Sequence, residues 1–130
     1  MSKLKAVILV VEDHPIVRSC AAEVLVDAGF EALEAANSIE AIAMLEAHPD
    51  IHLVFTDAEM PGTMDGVKLA HHIRDHWPPV KLIIVSGRMT VPDGALPHGA
   101  RFFPKPYRDT TVVEAMREML AGVASAGEPS

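Results

Sequence analysis

Short runs of apolar residues alternate along this chain with longer segments whose apolar residues recur at helical spacing. Short apolar runs of this kind are typical of strands buried on both faces of a parallel sheet, and the longer segments are typical of amphipathic helices. The pattern therefore predicts five strands that alternate with helices. The expected strands are residues 6–11, 30–35, 52–56, 81–85 and 100–103.

Prolines and small polar residues predict where the helices begin. Pro15 suits the first turn of a helix that Asp13 or His14 caps, and Asn37 or Ser38 is expected to cap the next one. The expected helices are residues 15–28, 38–47, 65–76 and 109–121. A loop is expected at 58–63, and the tail after residue 121 is small and polar.

The apolar positions of the first two helices are expected to face the core. Cys20 lies among such positions in the first helix, so a small buried side chain is expected there. In the second helix the residues expected to be buried are Ile39, Ile42, Ala43 and Leu45.

The fourth connection, residues 88–99, differs from the others because Pro92, Gly94, Pro97 and Gly99 crowd into it. Proline costs about 3 kcal/mol inside a helix, so an irregular crossover is expected here.

With right-handed crossovers, this order of elements predicts an α/β fold with a doubly wound five-stranded parallel sheet of order 2-1-3-4-5. One domain is expected at residues 1–121, with a short flexible tail at 122–130. The carboxyl ends of the strands then lie along one edge, where open α/β sheets bind their ligands.

Composition and charge narrow the class of protein. The formal net charge of −7 and the lack of a long Lys/Arg cluster argue against a nucleic-acid-binding surface. The apolar run near the N-terminus is too short for a membrane span or a signal peptide. A single cysteine fits a reducing compartment, so a cytoplasmic protein without a membrane partner is expected.

Acidic residues follow two of the predicted strands. Glu12 and Asp13 come directly after the first strand, and Asp57 follows the third. Such a cluster of hard oxygen ligands suits Mg²⁺, which takes few carboxylates and keeps several waters. The alternative for Glu12 and Asp13 is that they only cap the first helix and interact with its dipole.

Asp57 is the candidate nucleophile, because a carboxylate can attack phosphorus and form an aspartyl phosphate. Ser86 and Lys105 follow the fourth and fifth strands, where a hydroxyl and an ammonium suit phosphoryl oxygens. Taken alone, each of these three residues is also compatible with an ordinary turn.

Together these motifs resemble the response-regulator receiver domains, CheY-like, of two-component signalling. The resemblance spans about residues 5–120. It rests on Glu12-Asp13, on Asp57 within TDAEMPGTMDG, on Ser86-Gly87 and on Pro104-Lys105-Pro106. It implies the flavodoxin-like receiver fold and bound Mg²⁺. The MPGTMDG loop has one residue more than the commoner family pattern, so a different loop path is expected.

The resemblance also implies a role for each matching residue. Asp57 would be the phosphoacceptor, with Asp13 binding Mg²⁺ directly, Glu12 mostly through water, and the backbone carbonyl of Glu59 completing the protein ligands. Lys105 would pair with the phosphoryl group.

Two further sets of positions follow from the same resemblance. Ser86 would be the switch hydroxyl and Phe102 the aromatic switch, here without a tyrosine hydroxyl. Glu59 and Arg88 would tune the rate at which the phosphoryl group is lost, and the two side chains are expected to face each other across the site.

The expected function is that of a stand-alone phosphoacceptor switch that catalyses only its own phosphorylation and dephosphorylation. A sensor histidine kinase or a histidine phosphotransfer protein would donate the phosphoryl group, and an unidentified protein would read the altered surface of a monomer or a phosphorylation-dependent dimer. The alternatives are a phosphoryl shuttle or sink, a Mg²⁺-dependent phosphohydrolase with Glu59 as the second acid, and a phosphorylation-independent binding module.

A chain that starts at Met1 and ends in a polar tail is expected to be complete and not cut from a hybrid protein.

Overall fold

A computed structural model describes residues 5–60, 64–87 and 94–126, with side chains as far as residue 121. The described residues form five strands and four helices. The strands are β1 (Val7–Val11), β2 (Glu31–Ala35), β3 (Ile51–Asp57), β4 (Lys81–Ser86) and β5 (Arg101–Pro104), and the helices are α1 (Pro15–Asp27), α2 (Ser38–Ala47), α3 (Gly66–His76) and α4 (Asp109–Ala126).

The strands form one parallel sheet in the order β2-β1-β3-β4-β5, which confirms the predicted fold class. The strand register brings the carboxyl ends together: Val11 pairs with Thr56, and the next residue, Asp57, pairs with Val85. Ser86 pairs with Pro104 one strand further along. The residues that follow these ends therefore share one edge.

Helices cover both faces of the sheet, as the continuous apolar runs of the central strands require. One core cluster packs α2 and α3 against the sheet, with Leu45 and Leu69 among its buried residues. The other packs α1 and α4 through Leu25 and Met116. All five residues of β1 are buried between the two clusters, so this strand lies at the centre of the core.

Side chains cap α1 and α2. His14 caps α1, because its Nδ1 accepts from the backbone nitrogen of Val17 at 3.4 Å. Asn37 caps α2 by accepting from the backbone nitrogen of Glu40 at 2.9 Å. The other candidate cap, Ser38, is buried and donates to the backbone carbonyl of Met64 at 3.1 Å, which ties α2 to the segment before α3.

The predictions of buried helix residues were wrong at several positions. Cys20 is exposed, as are Ile39 and Ala43. The buried positions are Ala22 and Leu25 in α1 and Ala41 and Leu45 in α2. Both helices are apolar on more than one side, so hydrophobicity alone did not identify the face that meets the sheet.

The ends of the elements differ little from the predictions, except that α4 extends to Ala126, beyond the expected end at residue 121. In the fourth crossover, residues 94–100 form turns without a helix, with Gly94 and Gly99 at φ of 82° and 84°. Residues 88–93 of this crossover and 61–63 of the predicted loop lie outside the described residues, as does the end of the tail from residue 127.

Gly66, at the start of α3, is required by its contact with Asp57. A Cβ atom at Gly66 would lie 2.1 Å from the carbonyl oxygen of Asp57, far inside van der Waals contact. Gly66→Ala must therefore push α3 away from β3, and we expect the free energy of unfolding in urea to fall by about 3 kcal/mol. The control is Gly87→Ala, whose Cβ would meet Lys105 Cβ at an ordinary 3.6 Å. Equal stability of the two variants would contradict the prediction.

Candidate functional site

The structure brings the predicted site residues together at the carboxyl edge of the sheet. Glu12 follows β1 and is buried, whereas the next residue, Asp13, is exposed. Asp57 and Ser86 are the last residues of β3 and β4, and both are buried. Lys105 follows β5 and is partly buried.

Lys105 connects three strand ends. Its Nζ donates to Asp57 Oδ2 at 2.7 Å and lies 3.7 Å from Glu12 Oε1. Its backbone nitrogen donates to the carbonyl of Ser86 at 2.8 Å. Burial alone would lower the pKa of Lys105, but the hydrogen bond to Asp57 and the charges of both acids outweigh it, so the pKa is raised. The ammonium is therefore charged and balances part of the acidic cluster.

Both carboxylate oxygens of Asp57 accept hydrogen bonds. Oδ2 accepts from Lys105, and Oδ1 accepts from the backbone nitrogen of Glu59 at 3.0 Å. The side chain is 8% exposed, so the carboxylate is held in one orientation near the surface. A buried carboxylate with an adjacent cation is suited to act as a nucleophile toward an anionic electrophile.

Burial and the neighbouring carboxylates both act on Glu12. The pKa of the Glu12 carboxyl is raised to about 7, mainly by burial. The hydrogen bond that Glu12 Oε2 accepts from the His14 backbone nitrogen lowers the pKa, whereas neighbouring Asp57 and Asp13 raise it. Below pH 7 the folded site therefore favours a neutral Glu12 unless further positive charge arrives.

The Glu59 side chain reaches into the site. Its Oε2 accepts a hydrogen bond from the Ser86 hydroxyl. The predicted switch hydroxyl is thus held by a carboxylate two residues after Asp57. Arg88, which was expected to face Glu59, lies outside the described residues, so that expectation stays a prediction.

Phe102 lies in β5, half-buried and packed against the cluster formed with α2 and α3. It also lines a surface cavity of about 390 Å³ between β5 and α4, together with Arg101, Phe103 and residues of α4. The predicted aromatic switch position is therefore next to open space.

Sequence reasoning missed two residues that touch the site. Tyr107 packs edge-on against Phe55, with ring centroids 5.9 Å apart, and lines a small cavity beside Lys105; burial raises the pKa of its hydroxyl. Arg18 donates to the backbone carbonyl of Glu12 at 2.8 Å. In the sequence, only the position of Tyr107 two residues after Lys105 pointed to the site. Nothing in the sequence pointed to Arg18, because an arginine in a helix is usually solvated.

The donor chemistry of the site fits Mg²⁺. Within the described parts of the chain, no group of three or more histidine, cysteine, aspartate or glutamate side chains is arranged to hold a metal ion by itself. Mg²⁺ does not need such a group, because it usually takes one or two carboxylates and keeps several waters. Glu12, Asp13 and Asp57 supply only oxygen ligands, and a cation would offset the repulsion that Asp57 and Asp13 add to the effect of burial on the pKa of Glu12. In the same described residues, no helix is long and apolar enough to cross a membrane.

Known proteins of similar sequence and structure share this fold. The chain is 34% identical over 119 residues to the sensor kinase CckA of Brucella abortus (strain 2308), covering 88% of the chain and 12% of that protein. It is 33% identical over 118 residues to the chemotaxis protein CheY of Bacillus subtilis (strain 168), covering 87% of the chain and 96% of CheY.

A crystal structure of a CheY-like response regulator receiver domain protein from Methanospirillum hungatei JF-1 superimposes with a TM-score of 0.83 at 25% identity, covering 95% of this chain and all of that one. The curated relatives differ in length, and the chain spans only 54% and 23% of two others.

The match to a family model covers most of the chain. The model describes the response regulator receiver domain and matches residues 8–117, a range that includes every acid of the site, Ser86 and Lys105. The chain therefore belongs to the receiver domain family of two-component response regulators.

Proposed function

We propose that this chain accepts a phosphoryl group on Asp57 in a Mg²⁺-dependent reaction and changes its surface as a result. The observation that supports this most is the pair formed by the buried Asp57 carboxylate and the Lys105 ammonium, 2.7 Å apart beside Glu12. The donor would be a phosphohistidine of a sensor histidine kinase or of a histidine phosphotransfer protein.

In the proposed reaction an oxygen of Asp57 attacks the phosphorus of the donor. The new bond joins that oxygen to phosphorus, the P–N bond breaks, and its electron pair returns to the imidazole nitrogen. Lys105 stabilises negative charge on the phosphoryl oxygens. Asp13, Asp57 and the Glu59 carbonyl would hold Mg²⁺, with Glu12 acting through water. When bound, the metal supplies neutralisation of the charges that the carboxylates and the phosphoryl group bring together.

The proposed switch uses Ser86, Lys105 and Phe102. A phosphoryl group adds negative charge and strong acceptors at the strand ends, which favours contact with the Ser86 hydroxyl and the Lys105 ammonium. Lys105 directly follows β5 and is hydrogen-bonded to the end of β4, so a shift there acts on both strands. Phe102 is only half-buried, and in the proposed switch its ring changes rotamer when the ends of β4 and β5 shift.

The proposed partners are the phosphoryl donor and a downstream protein that reads the changed surface, with the chain acting in the cytoplasm as a monomer or a phosphorylation-dependent dimer. If the chain has no output partner of its own, the same chemistry would serve as a phosphoryl shuttle or sink.

The first test is the intact mass of the protein after incubation with Mg²⁺ and acetyl phosphate. We expect the wild type to gain one phosphoryl group and Asp57→Asn to gain none, because the amide is a poor nucleophile. Asp50→Asn, which changes an exposed acid in the turn before β3, is the control and should behave as wild type. A phosphoryl group retained in Asp57→Asn would show that the acceptor is elsewhere.

Glu59 is expected to slow phosphorylation. Its carboxylate accepts from the Ser86 hydroxyl and places negative charge where the phosphoryl oxygens must enter. Glu59→Gln removes that charge and keeps the size of the side chain. We expect the acetyl phosphate reaction of Glu59→Gln to be about threefold to tenfold faster, as for removal of one unfavourable charge near the reacting group.

The matched control for Glu59→Gln is Glu46→Gln, an exposed glutamate of α2. Both rates are measured by mass spectrometry over time at equal Mg²⁺. If Glu59→Gln reacts no faster than Glu46→Gln, the side chain does not oppose phosphoryl entry.

The raised pKa of Glu12 predicts the pH dependence of stability. In EDTA the unfolded chain ionises Glu12 near 4.5 and the folded chain near 7, so the folded state holds the extra proton between these values. The free energy of unfolding should therefore fall as the pH rises from 4.5 to 7, by at most about 3 kcal/mol from this group.

Glu12→Gln should remove this loss and be more stable than wild type at pH 8. Urea denaturation at several pH values measures the effect, and Glu31→Gln, which changes an exposed glutamate of β2, is the control. If the dependence of stability on pH is the same in Glu12→Gln as in wild type, other groups cause it.

Adding Mg²⁺ to the wild type at pH 8 should raise its stability with metal concentration, because the metal binds the folded state.

A further inference from the structure

Arg18 joins the ends of the two strands next to the site. It lies in the first turns of α1, and its side chain is only 19% exposed. Its Nη1 donates to the backbone carbonyl of Glu12 at 2.8 Å, and its Nε donates to Glu34 Oε1 of β2 at 3.2 Å. One guanidinium thus holds the residue after β1 and a residue near the end of β2.

The carbonyl that Arg18 holds belongs to the peptide unit between Glu12 and Asp13. A peptide unit is planar, so fixing its oxygen orients the backbone from which both acidic side chains leave. The other side of Glu12 is fixed as well, because its backbone nitrogen donates to the carbonyl of Ala35 at 3.1 Å. The turn that carries the acids is therefore held from α1 and from β2.

The hydrogen bond to Glu34 orients the guanidinium of Arg18. The fork of a guanidinium can donate to two acceptors in fixed directions, which a lysine ammonium on its flexible stem does not reproduce. Glu34 also offsets the charge of Arg18, so a cation beside the acidic turn opposes metal binding less than an unpaired one would.

We propose that Arg18, oriented by Glu34, is a positioning residue for the metal-binding acids Glu12 and Asp13. The proposal rests on the proposed function, because it assumes that these acids bind a divalent cation.

Arg18→Gln separates positioning from charge, because the two effects have opposite signs. If Arg18 acted only as a nearby positive charge, its removal would strengthen cation binding. If it positions the acids, its removal weakens binding. We expect the dissociation constant of Mn²⁺, used as the probe, to rise by about threefold to tenfold, at or below the low end of the range for residues that orient metal ligands. Electron paramagnetic resonance of free Mn²⁺ in a titration of the full chain measures this constant, and competition by Mg²⁺ relates it to the proposed metal.

Arg101→Gln is the matched control. Arg101 forms a similar surface ion pair, with Glu118 at 3.1 Å, on β5, the edge strand at the other end of the sheet from β2. This variant should leave the Mn²⁺ constant unchanged. Arg18→Lys keeps the charge without the fork, so positioning predicts that it too binds Mn²⁺ more weakly than wild type.

A double-mutant cycle with Glu34→Gln tests the role of Glu34. If Glu34 acts through Arg18, Glu34→Gln weakens Mn²⁺ binding in the wild type and has no effect in the Arg18→Gln background. An equal effect in both backgrounds would mean that Glu34 acts on the metal only through its own charge and not through Arg18, which would overturn its part of the proposal. Urea denaturation of each variant defines conditions in which the protein is fully folded during the titration.

The outcomes separate this inference from the proposed function. Wild type that binds Mn²⁺ and is phosphorylated, with Arg18→Gln binding equally well or more tightly, overturns only the role of Arg18. Wild type that binds no Mn²⁺ overturns both. Weaker binding in both Arg18→Gln and Arg18→Lys, with Arg101→Gln unchanged, supports the proposal.

Discussion

The balance of charge at the carboxyl edge of the sheet constrains the rest of this structure. Three acids, Glu12, Asp13 and Asp57, gather there because parallel strands end on the same side, and the Lys105 ammonium directly contacts only part of that charge. Burial, and then the neighbouring Asp57 and Asp13 carboxylates, raise the pKa of Glu12 to about 7. We expect such a site to respond to added charge, whether a divalent cation or a phosphoryl group. In the proposed switch, the mostly buried central strands β1, β3 and β4 would carry this response away from the edge.

The contacts around this edge divide into two groups. On one side, Arg18 and the backbone of β2 hold the acidic turn after β1. On the other side, the ends of β4 and β5 are joined by the backbone of Lys105, and the Ser86 hydroxyl is held by Glu59. In our inference, the first group keeps the acids in place. The second contains the groups that a phosphoryl oxygen would attract, next to a strand whose Phe102 borders a cavity. In the proposed switch, a rigid metal-binding half therefore faces a half that can rearrange.

The fold could be predicted well because its central strands are buried on both faces, so they appear in the sequence as continuous apolar runs between helices. Strand order followed from the handedness of the crossovers. Helix faces were less predictable. α1 and α2 carry apolar residues on several sides, and only packing against the sheet selects the side that is buried. Cys20 and Ile39 lie on sides that stay exposed. The start of α3 against β3 likewise depends on Gly66, whose need for a small side chain follows from the approach of the Asp57 carbonyl.

The sequence by itself determined which chemistry is available: acids after β1 and β3, a hydroxyl after β4 and an ammonium after β5, because the residue types and their positions relative to the strands are local properties of the chain. Tertiary structure alone decided which of these groups touch. Lys105 contacts Asp57 across 48 positions of the chain, and Ser86 donates to Glu59 across 27. Arg18 meets the Glu12 carbonyl only because α1 folds back over the end of β1. Contacts of this kind depend on strand register and helix packing, and no short segment of the sequence encodes them.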